Sequence, residues 1–151
     1  ERKNGQLLWK VENFDEIIGK MQKNPNFSVY SSSFTTGEMG YKFRMRLFWS
    51  HTTQNALALY IHVEKGEYDF ILKWPFEGQI AFSIIHPIDS NLRLQSIMKT
   101  NGSEAFHRPI LQINNHGFGF SKITLAELNQ QGFVRNNQLI IVVTVKSQNA
   151  S

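Results

Sequence analysis

Two segments in the first half of the chain alternate between large apolar side chains and polar or small ones. In residues 41–49 every second position is apolar, and Lys42, Arg44 and Arg46 stand between these positions. Residues 55–63 repeat the pattern, with aliphatic side chains on one side and residues such as Tyr60 and His62 on the other. A period of two sends successive side chains to opposite faces of a strand. Both segments are therefore predicted to be half-buried β-strands.

Shorter apolar or β-branched runs between turn residues predict the remaining strands. They lie at residues 6–11, 27–34, 70–73, 79–86, about 93–98, 117–123 and 138–146. The last of these is apolar on both faces, which favours a central position in its sheet. Short strands separated by turn signals, without a long amphipathic helix, are typical of an antiparallel β-sandwich.

Two short helices interrupt the strands. Asn13 precedes an apolar run with Glu16 three residues further on, which is the pattern of a capping box at the start of a helix over residues 14–21. Thr124 and Glu127 form the same pattern before a helix that extends to about Gln130.

Composition narrows the class of protein. The chain has 151 residues, 41% of them apolar, with 12 phenylalanines and a net charge of +4. This length favours one domain, and no apolar run is long enough to cross a membrane. The charge is too small for the basic stripe of a nucleic-acid-binding protein, so neither nucleic acid nor membrane insertion is predicted. Since the chain begins without methionine and ends in polar residues, we interpret it as a segment of a longer protein.

The residues give little support for catalysis, a metal or a cofactor. There is no cysteine, which excludes disulfides, thiolate metal sites and cysteine nucleophiles. The five histidines lack the spacing that aims two imidazoles at one metal ion. Gly117 and Gly119 lack the third glycine of a dinucleotide-binding loop, and Glu64, Glu67 and Asp69 surround a turn. We predict no catalytic residue, no metal ligand and no cofactor.

Aromatic side chains beside an arginine are the feature that suggests a binding surface. Phe48 follows Arg46 on the polar face of its strand, and Phe118 and Phe120 share one face of theirs. If the two strands are neighbours, these aromatics and the guanidinium form a shallow patch that grips an aromatic side chain. The alternative is that Phe118 and Phe120 fill the core, as Phe43 and Phe82 are predicted to do, and that Phe48 is an isolated apolar residue on the surface.

Short motifs in a fixed order along the chain resemble the MATH domain. They are Trp9-Lys10-Val11, Gly40-Tyr41-Lys42-Phe43-Arg44-Met45-Arg46, Gly66-Glu67-Tyr68-Asp69, Trp74-Pro75-Phe76, Phe106-His107-Arg108-Pro109 and Gly117-Phe118-Gly119-Phe120. More narrowly, the chain resembles the C-terminal receptor-binding domain of the TNF-receptor-associated factors (TRAFs). The resemblance implies an eight-stranded antiparallel sandwich, forming a single domain whose core spans about residues 5–146.

The resemblance also implies a function. TRAF domains bind extended peptides along a sheet edge, and the branch that this chain resembles takes Pro-x-Glu-x-x-(aromatic or acidic) motifs. The implied partners are cytoplasmic tails of TNF-receptor-family or Toll/IL-1-pathway proteins, with their adaptors and kinases, in signalling to NF-κB and JNK. An upstream coiled coil would make the full-length protein a cytoplasmic homotrimer, and upstream RING and zinc fingers would make it a ubiquitin ligase.

The site residues implied by the resemblance fall into three groups. Arg46, with Phe118 beside it, meets the last residue of the motif, and Phe48 replaces a family residue next to the arginine. A proline pocket is implied at Tyr60, Ile97 or Met98, Gly119 and Phe120. The backbone amides of Glu104 and Ala105 hold the glutamate of the motif. The rim from Ile113 to His116, including Asn114 and Asn115, departs from the family pattern at the place that contacts the last peptide residue.

Two other functions remain open at this point. One is a MATH substrate-recognition domain of a ubiquitin ligase adaptor or a deubiquitinase, which differs from a TRAF in the domains attached to it. The other is a carbohydrate-binding or hydrolytic β-sandwich, against which the lack of paired carboxylates counts.

Overall fold

The chain folds as two antiparallel sheets, in a computed structural model that describes residues 4–52, 55–114 and 116–148. The strands are β1 (Gln6–Val11), β2 (Ser28–Tyr30), β3 (Phe34–Thr35), β4 (Lys42–Ser50), β5 (Ala56–Glu64), β6 (Gly78–Ile85), β7 (Arg93–Lys99), β8 (Phe118–Ile123) and β9 (Leu139–Ser147). One sheet has the order β1-β9-β6-β7, and the other has the order β2-β4-β5-β8, with β3 also paired to β4.

The predicted sandwich of eight strands is confirmed, with one strand broken in two. Both β2 and β3 pair with β4, and the chain between them turns at Ser31. The Ser31 N–H donates to the carbonyl of Met45 at 2.9 Å, and the Ser31 hydroxyl accepts from the Met45 N–H, also at 2.9 Å. The serine run at residues 31–33 therefore interrupts a strand that the sequence predicted as continuous.

The core lies between the sheets and is rich in phenylalanine. Phe43 and Phe82 are completely buried, as predicted, and Phe76 packs edge-to-face on Phe43 with ring centroids 5.2 Å apart. β9 is central, as predicted, between β1 and β6. β5 differs from its prediction, because its outer face is also largely buried between β4 and β8.

Two short helices connect the strands: α1 (Phe14–Lys23) and α2 (Leu125–Gln130). The Thr124 cap of α2 is confirmed, because its hydroxyl accepts from the Glu127 N–H at 3.1 Å. The prediction that Asn13 caps α1 is wrong. Asn13 adopts a left-handed conformation without a side-chain cap, and Asn137 accepts from the N–H of Asp15 at 2.8 Å instead. A cap that comes from a distant residue leaves no local sequence signal.

The strand predicted at residues 70–73 is also wrong. Asp69–Ile71 forms a 3₁₀ turn, in which the Ile71 N–H donates to the Tyr68 carbonyl at 3.0 Å. In the turn before it, the Asp69 carboxylate accepts from the Gly66 N–H at 3.0 Å. The indole N–H of Trp74 donates to the Asp69 carbonyl at 2.8 Å. Phe70 and Ile71 consequently point to solvent. Within the described residues, no helix has the length and apolar character needed to cross a bilayer.

Candidate functional site

Strand register lines up four residues across the outer face of the β2-β4-β5-β8 sheet. Tyr30 pairs with Arg46, Arg46 with Tyr60, and Tyr60 with Gly119. Directly paired residues project to the same face of an antiparallel sheet. The row therefore faces away from the core and contains a guanidinium between two phenol rings.

The guanidinium of Arg46 is held in place from two directions. Its Nε donates to the Ser28 hydroxyl at 2.8 Å, and its Cζ lies 4.0 Å from the centroid of the Phe48 ring. Phe48 in turn packs edge-to-face on Tyr60, with centroids 4.9 Å apart. Three of the predicted residues, Arg46, Phe48 and Tyr60, thus form one cluster, which we call the Arg46 cluster.

Phe118 and Phe120 lie on the opposite face of the sheet. They pair with Ile61 and Leu59, two core residues, and β5 separates their strand from β4. The predicted patch that joins these phenylalanines directly to Arg46 is therefore wrong, and Phe48 is the aromatic neighbour of the arginine. The alternation within the glycine-containing strand is as predicted, since Gly119 occupies the outer face.

These two phenylalanines instead line the inner side of an open sheet edge. Phe118 packs on Phe106 and Phe120 on Phe82, with ring centroids 5.0 and 5.6 Å apart. Both remain half-buried, because β8 is the last strand of its sheet. Phe106, which the sequence placed in a family motif but not in the site, packs beneath Phe118 on the core side.

Sequence analysis left open whether Ile97 or Met98 belongs to the site, and the two residues occupy opposite faces of β7. Met98 pairs with the buried Ile80 and packs against the core, whereas Ile97 points outward and is 58% exposed. Since Phe120 reaches β6 and β6 pairs with β7, the two edge strands border the same side of the sandwich. Met98 is therefore on the inner side of the sandwich, as Phe118 and Phe120 are, and Ile97 is not.

Glu104 and Ala105 begin the Glu104–Phe106 3₁₀ turn. Its first bond runs from the Phe106 N–H to the Ser103 carbonyl, so the turn itself does not use the two preceding amides. The Ala105 side chain is buried, while the Glu104 side chain is exposed and lies 3.0 Å from the imidazole of His116. A turn that leaves N–H groups unused can receive a carboxylate or a carbonyl.

Asn114 fastens this turn to the sheet, a role that sequence analysis missed. Its side-chain amide donates to the carbonyls of Ala105 at 3.2 Å and His107 at 3.0 Å. Its backbone N–H donates to Val63 at 2.9 Å, and its carbonyl contacts the imidazole of His62 at 2.8 Å. Of the predicted rim around it, Asn115 lies outside the described residues. An asparagine in a polar loop gives no signal that could have assigned these bonds.

His62 is a buried imidazole on β5, beneath the start of β8. Burial lowers its pKa most, and the charge of Arg46 lowers it further, against the opposing hydrogen bond to the Asn114 carbonyl. Its Nε2 has no partner among the described residues, and a Cβ added at Gly117 would lie 2.6 Å from it. The ring is therefore neutral at neutral pH and donates from Nδ1 to Asn114.

Acidification should destabilise the fold through His62. A pKa below 6.5 in the folded state means that the unfolded chain binds more protons, so the free energy of unfolding falls as pH drops below about 6.5. Urea unfolding at pH 7.5 and at pH 5.5 measures the free energy of unfolding at each pH. The loss of this free energy between the two pH values should be smaller in His62→Gln than in wild type. The exposed substitution His107→Gln serves as the control. An unchanged difference in His62→Gln would contradict this account.

The charge of the neighbouring arginine, Arg44, is balanced by a carboxylate within the sheet. Its Nε lies 3.2 Å from the carboxylate of the buried Glu64, which also accepts from the Ser33 hydroxyl at 2.7 Å. Lys42 lies 3.8 Å from the second oxygen. Arg46 has no such carboxylate within the part of the chain that the structure describes. In the same described part, no three metal-ligating side chains come together.

A family model described as "TRAF/meprin, MATH domain" matches residues 26–142. The chain belongs to this family. This MATH domain is 31% identical over 153 residues to TNF receptor-associated factor 6 of Bos taurus, which covers 96% of the chain and 28% of the relative. It is 29% identical over 142 residues to the Danio rerio protein of the same name, covering 91% and 26%. The chain thus spans little more than a quarter of the length of these curated relatives.

A solved structure agrees with the sequence comparison. TRAF5 of Notothenia coriiceps superposes with a TM-score of 0.91 at 25% identity, over 99% of this MATH domain and 77% of that chain. The predicted family and fold are therefore confirmed. The chain is a TRAF-type MATH domain, which is a non-catalytic protein-interaction domain.

Proposed function

We propose that this MATH domain is an adaptor module that binds Pro-x-Glu-x-x-(aromatic or acidic) peptides by strand addition to β8. The observation that carries the proposal is the open edge of β8, where the half-buried rings of Phe118 and Phe120 lie on the inner face of the sheet and the Arg46 cluster lies on its outer face. Within the described residues β8 pairs with β5 alone, so alternate amides and carbonyls along its other side are available to a peptide.

For each fixed residue of the motif, the domain surface offers groups of suitable chemistry. We place the proline in an apolar cleft formed by Phe118, Phe120 and Met98, because a rigid apolar ring needs no hydrogen-bond donor. Tyr60 and Gly119, which the resemblance put in the same pocket, project to the opposite face of the sheet and are not part of this cleft. The glutamate fits the unused amides of Glu104 and Ala105, since carboxylates accept strongly from backbone N–H groups. The last residue of the motif then meets the Arg46 cluster.

The proposed partners are those that the resemblance to TRAFs implies. We propose that the ligands are cytoplasmic tails of TNF-receptor-family or Toll/IL-1-pathway proteins, their adaptors and kinases, in signalling to NF-κB and JNK. The relatives named TNF receptor-associated factor 6 support this function over substrate recognition in a ubiquitin ligase adaptor or deubiquitinase.

The whole protein would act through several copies of this domain. An extended peptide buries little surface and must be ordered on binding, so a single site is expected to be weak. An upstream coiled coil would assemble a cytoplasmic homotrimer, and three linked sites would bind a clustered receptor with avidity. Upstream RING and zinc fingers would give the full-length protein ubiquitin ligase activity. The domain proposed here comprises residues 1–151, with its core at about 5–146.

Peptide titration tests the proposal. A peptide with the Pro-x-Glu-x-x pattern should bind the wild-type domain, and changing its proline and glutamate to alanine should remove binding. Arg46→Ala should weaken binding about tenfold, because the last residue of the motif loses its charged partner. Equal affinity of both proteins would remove Arg46 from the site, and failure of the wild type to bind would overturn the proposal.

A matched pair of substitutions on β7 tests the apolar cleft. Met98→Ala should lower peptide affinity about fivefold to tenfold by removing apolar contact with the proline. Ile97→Ala, one residue away but on the outer face, should leave the affinity unchanged. Isothermal titration of both variants with one peptide measures the two affinities. A loss of affinity in Ile97→Ala but not in Met98→Ala would mean that the proline binds elsewhere.

A further inference from the structure

The outer face of the β1-β9-β6-β7 sheet has the shape of a trough. Along the middle of this face, the two central strands carry the short or branched side chains of Ala81, Val142 and Thr144. Register places Leu8 of β1 beside Val142 and Ile97 of β7 beside Ala81, so longer side chains stand on both edge strands. These two apolar side chains are 45% and 58% exposed. We call this surface the trough, with Ala81, Val142 and Thr144 as its floor.

Every charged residue in the four strands of this sheet is a cation. They are Lys10 on β1, Lys146 on β9, and Arg93 and Lys99 on β7, and the four strands contain no aspartate or glutamate. All four cations are exposed, and none has an ion pair among the described residues. A surface that carries charge of one sign attracts a ligand of the opposite sign.

The cations stand at the two ends of the trough and leave its middle uncharged. Register puts Lys10 and Arg93 in one row across the sheet. At the other end Gln79 pairs with both Lys99 and Lys146, and these residues line an open pocket of about 630 Å³. Because Arg93 and Lys99 are six residues apart on β7, the two ends lie about 20 Å apart.

We propose that the trough is a second docking surface, which binds an amphipathic α-helix of a protein partner with acidic residues at both ends of the contact and small or aliphatic residues between them. Its two walls are three strand spacings apart, about 14 Å, and a helix with its side chains is about 10–12 Å wide. A separation of 20 Å corresponds to about 13 residues of helix. The trough belongs to the other sheet from β8 and the Arg46 cluster, so it is independent of the proposed function.

The backbone of the sheet favours a helix over an extended segment. The two strands under the floor, β6 and β9, are paired on both sides, so their N–H and C=O groups are used within the sheet. A ligand on this face meets side chains only, and a helix is the element that satisfies its own backbone.

The shape also favours a helix over a lipid bilayer, the other common source of negative charge. Proteins that bind a bilayer from its surface insert protruding apolar side chains among the headgroups. Here the floor residues Ala81, Val142 and Thr144 lie below the side chains of the two walls. A recessed apolar strip between cationic ends matches a rod and not a flat surface.

A designed helix tests the trough through its charges. The probe is a stapled peptide of about 20 residues, with alanine and leucine along one face and glutamates in its first and last turns. Lys99→Glu combined with Lys146→Glu should weaken binding about tenfold, because two attractions become repulsions. Lys23→Glu combined with Lys65→Glu makes the same change in net charge at exposed positions outside this sheet and should alter the affinity less than twofold. Fluorescence anisotropy at about 150 mM salt measures each affinity.

Ala81→Lys separates docking in the trough from general attraction of charges. The added side chain raises the positive charge of the face but fills the floor between Ile97 and Thr144. Docking in the trough predicts binding about tenfold weaker than in wild type, whereas attraction by charge alone predicts tighter binding. Thermal unfolding checks that the variant folds, and if it does not, the two pairs of charge reversals decide.

The remaining outcomes name the alternatives. If the probe does not bind the wild type, or if both pairs of charge reversals weaken it equally, the docking surface is overturned. Sedimentation with phosphatidylcholine vesicles that contain phosphatidylserine covers the bilayer, and binding of these vesicles without binding of the helix would overturn the protein partner. A Pro-x-Glu peptide should not displace the helix, and displacement would contradict a separate surface.

Discussion

Gly119→Ala is expected to disrupt the β5–β8 pairing and to abolish peptide binding. A Cβ at this position would collide with the carbonyl oxygen of Leu59 and lie 2.7 Å from the Cα of Tyr60. These are backbone atoms of a buried strand, so they cannot give way as a flexible side chain would. We expect a loss of about 2–3 kcal/mol in the free energy of unfolding, as for overpacking in a core.

The same substitution elsewhere provides the control. At Gly19, in the interior of α1, an added Cβ would meet nothing within 4 Å, and Gly19→Ala should stabilise the domain by about 0.5–1 kcal/mol. Urea unfolding measures both variants, and peptide titration measures binding. Unchanged stability and binding in Gly119→Ala would contradict the described approach of β8 to β5.

Phe106→Ala is expected to cost about 3–5 kcal/mol of stability, the usual range for removing a fully buried phenylalanine. In a domain of this size that lowers the melting temperature by about 10 °C. Phe118 rests on this ring, so the inner wall of the cleft should also lose its support. Peptide affinity of the protein that remains folded at low temperature should fall as well.

A second core phenylalanine separates stability from binding. Phe133 is equally buried but contacts His86 instead of the cleft, so Phe133→Ala should lose similar stability and keep its peptide affinity. Calorimetry and low-temperature titration compare the two variants. If both retain full affinity, Phe106 does not support the binding surface.

Patterns within one strand were readable from the sequence. Alternation in residues 41–49 correctly identified the core face of β4 and placed Phe48 with Arg46 on the outer face. The β-branched last strand correctly indicated a central position. These features depend only on the two-residue repeat of a strand, which is a local property.

Relations between strands were not readable in the same way. Nothing in the sequence indicated that β5 lies between β4 and β8, and this order is what separates Phe118 from Arg46. The choice between Ile97 and Met98 depended on register, since a shift of one residue exchanges the two faces of a strand. Asn114 and Asn137 act through bonds to distant segments, which a local pattern does not contain.

Hydrogen exchange on the β8 edge tests the central claim most directly. When a Pro-x-Glu peptide is added, the alternate amides of residues 117–123 that do not bond to β5 should exchange more slowly. The amides of β1 and β2, on the other edges of the sandwich, should not change. A peptide that binds without protecting β8, or that protects another edge, would contradict strand addition at this site.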